Sequence, residues 1–238
     1  MEKLKNINIK IIIRSILVFT FFYCSTLIQY IPIILFHMDL NKIRGNIQAA
    51  TMLSTFSSVV IAAVLIIIYH KDLEKEFKKY RTNWFKNFDT GFKYYASGLG
   101  IMMISNLIFF YVLKSGGANN ENAVQSMISS APIWMALQVC ILAPFNEEIV
   151  FRKTLYDVFK KWKWLFVLIS FLLFGGAHVI NSANSIIDYL YIIPYGVLGG
   201  AFALAYSKTE SVFTSMTFHM IHNAIVVFIS IAGNILGS

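Results

Sequence analysis

The stretch Ile141-Leu142-Ala143-Pro144-Phe145-Asn146-Glu147-Glu148-Ile149-Val150-Phe151-Arg152 decides how this chain is read. It lies in an apolar run long enough to cross a bilayer, yet it holds two adjacent carboxylates and a guanidinium. Ionisable groups at membrane depth are costly to bury, and where they occur they face a bundle interior or a cavity and mark function. Glu148 and Arg152 are four residues apart, on one face of a helix, a spacing that permits an ion pair. Glu147 is turned about 100° from Glu148, so it faces a cavity while its neighbour is tied to the arginine. Pro144, three residues earlier, removes a backbone donor. That predicts a kink and a freed carbonyl beside the carboxylates.

The rest of the chain supports a membrane setting. Its 238 residues are 57% hydrophobic and only 13% charged, with a mean hydropathy of +0.64, whereas soluble domains carry about 25% charged residues. A spanning helix needs about 20 mostly apolar residues. Seven stretches meet or approach that length: 15–36, 47–69, 94–113, 134–156, 164–180, 189–206 and 211–235, the fifth and sixth being short. The expected fold is an all-α, polytopic bundle of about seven spans, or eight if one segment is re-entrant. It forms a single domain over 1–238, with the polar motifs in a core at 130–230. The first run exceeds the apolar core of a signal peptide, about 7–15 residues, and is read as a retained span. Segments 70–93 and 114–131 are left as loops. The first of these carries Trp84, Phe85 and Phe88 and reads as a solvated cytoplasmic loop, with an amphipathic helix on the inner leaflet as the sharper alternative.

The net charge of +8 suggests nucleic acid at first sight. The basic residues flank the apolar runs instead, which is how membrane orientation is encoded. With the N-terminus inside, seventeen of the twenty Lys and Arg fall on the inner side, leaving Lys42, Arg44 and Lys114 outside. The expectation is a cell-membrane protein with a cytoplasmic N-terminus and an outer C-terminus. Its partners are the lipid bilayer and a membrane-associated substrate, not nucleic acid. Cys24 and Cys140 fall in spans and lack metal-ligand spacing.

Two further polar clusters interrupt apolar runs: Phe174-Gly-Gly-Ala-His178 and His219-Met-Ile-His222-Asn223. Phe174 and His178 share a helix face, as do His219 and Asn223. Counting 1.5 Å per residue from Lys160, Lys163 and Lys208 puts Glu147, His178, His219 and Asn223 about 16–22 Å deep. Each feature alone has a bland reading. A buried Glu–Arg pair is commonly structural, a lone histidine on an apolar helix commonly makes an interhelical hydrogen bond, and Gly175-Gly176 and Gly199-Gly200 read as close helix-packing points. A double carboxylate, imidazoles and an amide at one depth point together to hydrolysis of a membrane-embedded or membrane-adjacent substrate.

Glu147-Glu148-x-x-x-Arg152, then Phe174-x-x-x-His178, then His219-x-x-x-Asn223, in that order and on separate helices, resembles the CAAX protease and bacteriocin-processing family. Its members include the Ras-converting type of prenyl-protein endopeptidase and many bacterial Abi proteins. The resemblance implies an intramembrane endopeptidase. Glu147 would be the general base for water, assisted by His178; His219 and Asn223 would stabilise the oxyanion; Arg152 would orient Glu147 and Glu148. No cofactor is expected. Many members have glycine after the arginine, where this chain has Lys153, and His222 stands outside the motif. Two alternatives stay open. One is a zinc metalloprotease with Glu147, His178 and His219 as ligands, although no His-Glu-x-x-His is present. The other is a non-enzymatic bacteriocin-immunity or scaffold protein on the same fold.

Overall fold

The computed structural model describes residues 9–114 and 118–236. Among them there is no strand, and the protein is an all-α polytopic membrane bundle. The main helices are α1 (Ile9–Tyr23), α2 (Ile47–Thr82), α3 (Trp84–Leu113), α4 (Asn119–Ser130), α5 (Pro132–Phe159), α6 (Lys163–Val179), α7 (Ile192–Thr209) and α8 (Val212–Leu236). Short helices follow α1 (Ser25–Leu35 and Leu40–Arg44), and a 3-10 turn, Asp188–Tyr191, precedes α7.

Five helices are long and apolar enough to span, and six if α1 and Ser25–Leu35, bent by 56°, make one broken span. That count is lower than the seven expected. Each of the seven apolar stretches is helical, but the fifth, α6, has 17 residues and reaches only about 25 Å at 1.5 Å per residue. The segments taken for loops also fold. α2 runs on through the charged residues to Thr82, 36 residues in all. At about 54 Å it overshoots a hydrocarbon core of about 30 Å. The N-cap side chain of Asn46 accepts from the Ala49 amide, and Lys79 and Arg81 sit in the last turn, where cations favour the helix dipole. One residue, Asn83, separates α2 from α3, so 70–93 is two helix ends rather than a loop. α4 occupies most of 114–131, of which 115–117 lie outside the described residues.

α6, α7 and α3 pack side by side because their facing positions are small. A Cβ on Gly175 would lie 2.5 Å from the Ile192 carbonyl, one on Gly199 2.9 Å from Phe174, and one on Gly98 2.6 Å from Ala201. Small residues let membrane helices approach closely enough for backbone contact. Gly175 and Gly199, one from each glycine pair, are close packing points of the kind the sequence suggested. The central apolar core joins Val18 of α1, Leu65 and Tyr69 of α2, Ile149 to Phe151 of α5, Phe166 and Phe174 of α6, and Ala203 and Tyr206 of α7.

An ionic knot ties one end of the bundle. Lys153, 7% exposed, lies 2.6 Å from Asp157, 3.3 Å from Asp72 and 3.6 Å from Glu76. Arg14 pairs with Asp157 and Asp72 and lies over the Tyr69 ring. Glu76 accepts from the Tyr206 hydroxyl at 3.1 Å and from the Val212 amide, the first of α8, at 2.8 Å. Two cations thus face three carboxylates across α1, α2 and α5. Glu76 also satisfies a helix N-terminus from another helix.

Candidate active site

α5 carries the two glutamates through two wide, π-helical turns, Gln138–Leu142 and Ile149–Thr154, which flank Pro144 and Glu147-Glu148. Such turns insert a residue into an α-helix and are common at functional sites. The helix passes Pro144 as one span, and the ring's cost is taken up in the first wide turn. There the Ala143 amide reaches back to the Gln138 carbonyl. The next donor in that pattern would come from residue 144 and serve Val139, but proline has none. The Val139 carbonyl is instead taken by the Asn223 amide of α8, whose Nδ2 donates at 2.8 Å. The freed carbonyl expected from Pro144 therefore exists, and it anchors a motif residue.

Glu148 and Arg152 are fully buried and lie 3.3 Å apart (Oε1 to Nη1) across the second wide turn. Arg152 Nη2 donates to the Gly199 carbonyl at 3.1 Å. Its guanidinium lies over Phe174 at 4.4 Å and near Phe202 at 5.5 Å. An arginine plane held by aromatic faces, a carbonyl and a carboxylate is fixed in orientation, which a lysine does not achieve. Two helices, α6 and α7, therefore set the position of a charge on α5.

His219, 3% exposed, stands across both glutamates. Nδ1 is 2.9 Å from Glu148 Oε1, and Nε2 is 3.7 Å from Glu147 Oε2. Its ring stacks on Phe202 (5.0 Å between centroids) and meets Phe174 edge-on. Glu147 has a 17% exposed side chain, against 0% for Glu148. Its Oε2 has no hydrogen-bond partner among the described residues. Glu148 Oε2 is likewise buried without a hydrogen-bond partner, so the two carboxylates differ in exposure and in ion pairing, with Glu148 against both Arg152 and His219. The expectation for His219 is modified, because one of its nitrogens is committed to Glu148.

His178 is on α6. Its Nδ1 donates to the Phe174 carbonyl at 2.9 Å, which assigns the proton to Nδ1 and leaves Nε2 as the free nitrogen. It makes no direct hydrogen bond or ion pair with Glu147 among the described residues. His222 points elsewhere, with Nδ1 3.3 Å from the Tyr95 hydroxyl. Among the described residues no group of three or more His, Cys, Asp or Glu is placed to hold a metal ion, and Glu147, His178 and His219 do not make one.

Several contributors escaped the sequence reading. Ser58 of α2 receives Gln138 Nε2 at 2.8 Å on its hydroxyl and Asn146 Nδ2 at 3.0 Å on its carbonyl. The Gly199 carbonyl and the Phe202 ring serve Arg152 and His219. A glycine or a serine in an apolar run carries no signal of such a role. Only polar residues such as Gln138 and Asn146, six residues before and two after Pro144, hint at it.

Residues 129–225, the interval containing all three motifs, match the family described as type II CAAX prenyl endopeptidase Rce1-like. The resemblance read from the motifs holds for the segment that carries them. A Bacillus subtilis (strain 168) protein described as "Putative membrane peptidase YdiL" is 28% identical over 131 residues, which is 54% of this chain and 50% of that protein. The matched part thus spans about half the length of this curated relative. No solved structure matches the chain.

Proposed function

We propose that this protein is an intramembrane endopeptidase that hydrolyses a peptide bond in a membrane-associated peptide or protein, with water activated by Glu147. The observation that carries the reading is the contrast between two adjacent carboxylates. Glu148 is fully buried and lies 3.3 Å from Arg152 and 2.9 Å from His219, while Glu147 is the more exposed of the two and lies 3.7 Å from the second nitrogen of the same imidazole. The Rce1-like match over the same residues and the peptidase description of the Bacillus relative point the same way.

In this mechanism a water molecule lies between Glu147 and the free Nε2 of His178. Glu147 takes one proton as the oxygen attacks the scissile carbonyl, and His178 accepts a hydrogen bond from the other. Base catalysis of this kind contributes about 10²–10⁴-fold. Negative charge then develops on the carbonyl oxygen. Asn223 retains one N–H for it, since Nδ2 has two and Val139 takes one. His219 donates from Nε2 only when both ring nitrogens carry protons, because Nδ1 is committed to Glu148. Glu147 then passes its proton to the amine as the C–N bond breaks. Arg152 acts through Glu148 and has no contact with the reacting atoms.

The test compares membrane peptides from cells making the wild type with those from cells making Glu147→Gln, which is nearly isosteric but takes no proton from water. A peptide that changes length identifies a substrate, to be cleaved by purified enzyme. The expected result is loss of cleavage at normal expression, with wild-type activity unchanged by a membrane-permeant chelator. Full cleavage by Glu147→Gln overturns the base assignment. Loss of activity on chelation, restored by zinc, selects the metalloprotease reading.

A further inference from the structure

His178, like His219 with Phe202, is gripped by an aromatic ring from outside the motifs. Tyr195 of α7 stacks on its imidazole with centroids 4.7 Å apart and planes 22° apart. Phe174 also packs against it, tilted by 43° with centroids 4.5 Å apart. The hydrogen bond to the Phe174 carbonyl by itself leaves the ring free to turn, because the outer torsion of histidine is broad and roughly two-fold. Two rings in contact remove that freedom.

Tyr195 is flanked in turn by the first residues of α4. The Asn120 side chain lies beside its hydroxyl. The neighbouring Asn119 Nδ2 donates to the Ser182 carbonyl and to Asp188 Oδ2, each at 3.0 Å. The same Asp188 oxygen accepts the Asn184 and Ser185 amides at 2.7 and 2.9 Å. Ser182 Oγ donates to the His178 carbonyl at 3.1 Å. The start of α4 is therefore stitched to the loop that leaves His178 and lies beside the ring that covers it. α4 is none of the candidate spans, and it is the most polar of the main helices, with the run Asn119-Asn120-Glu121-Asn122 at its start.

We propose that Tyr195 is a positioning residue for His178. With Asn120 beside its hydroxyl, it makes α4 part of the device that keeps Nε2 of the catalytic imidazole turned toward the water. The inference rests on the proteolytic reading for its catalytic consequence, but the orientation of the ring can be measured without any substrate.

Ring ¹⁵N spectra of histidine-labelled protein in detergent report the tautomer directly, with the His178 signal identified by its loss in His178→Gln. Wild type is expected to show a single Nδ1-protonated form. Tyr195→Leu removes the stacking and should bring in the Nε2-protonated form. Tyr195→Phe and Asn120→Ala keep a ring or its site but remove one partner of this contact, and should show the second form at smaller population. On the peptide identified by the Glu147→Gln comparison, Tyr195→Leu should lower kcat about tenfold or more with KM nearly unchanged, as loss of orientation does. An unchanged tautomer in Tyr195→Leu overturns the proposal. If that variant does not fold, unchanged spectra in both Tyr195→Phe and Asn120→Ala overturn it. A tautomer shift together with no cleavage by wild type would sink the proteolytic reading and leave the positioning role standing.

Discussion

Replacing Arg152 by alanine should damage the fold as much as the chemistry. Arg152 and Glu148 are both fully buried and 3.3 Å apart, and the guanidinium also holds the Gly199 carbonyl and lies over Phe174. Truncation leaves the two glutamates without their guanidinium, and it opens a void between α5, α6 and α7. Breaking one side of a buried ion pair costs about 3–5 kcal/mol. For a chain of this size, about 2–4 °C per kcal/mol translates this into a fall in melting temperature of about 6–20 °C. The assay is thermal unfolding of the detergent-purified protein, followed by its tryptophan fluorescence. Arg152→Met combined with Glu148→Gln removes the charges together and should recover most of the loss, because a buried pair replaced by neutral groups of similar size is often no less stable. Arg152→Ala with wild-type yield and melting temperature would refute the claim that this pair is buried and unsolvated.

Two further outcomes follow from the site and the charge pattern. Asn223→Ala should reduce kcat about 10²–10³-fold, the usual loss for one oxyanion donor, with little change in KM; His222→Ala, whose ring faces Tyr95, should be much milder, and equal damage from both would place His222 in the site. Single cysteines at 75–90 should label only from the cytoplasm and those at 118–122 only from outside, as the distribution of lysine and arginine requires; external labelling at 75–90 would invert the topology.

The spans were legible because apolar length is a direct readout of bilayer thickness, and the depth of Glu147, His178 and His219 followed from rise per residue alone. Of these, Glu147 and His219 are on different helices and lie 3.7 Å apart, while His178 makes no direct hydrogen bond or ion pair with Glu147 among the described residues. What escaped was the continuation of α2 past Tyr69. A charged stretch reads as a loop, yet i,i+4 pairs such as Glu74–Lys78 support helix in water. The wide turns of α5 escaped too, since their register depends on neighbours. Pro144 announced a missing donor, but that Asn223 would fill the gap required α8 to be in place. Lys153 looked like a departure from the family pattern. Its three carboxylate partners come from two helices, and only Asp157 is close to it in the chain.

The ionic knot bears on the order in which the protein is made. Asp72 and Glu76 leave the ribosome some eighty residues before Lys153, and the Val212 amide that Glu76 caps arrives about sixty residues later still. Until then those carboxylates must stay in water, at the edge of the lipid, and only Arg14 is already present to meet Asp72. α1 and α2 therefore reach the membrane as a loosely tethered pair. The knot is complete only when α5 brings in its lysine and α8 its first amide. A nascent chain halted after α3 has the apolar length to be retained in the membrane and holds Arg14 and Asp72, but it lacks Lys153, Asp157 and the Val212 amide of the knot.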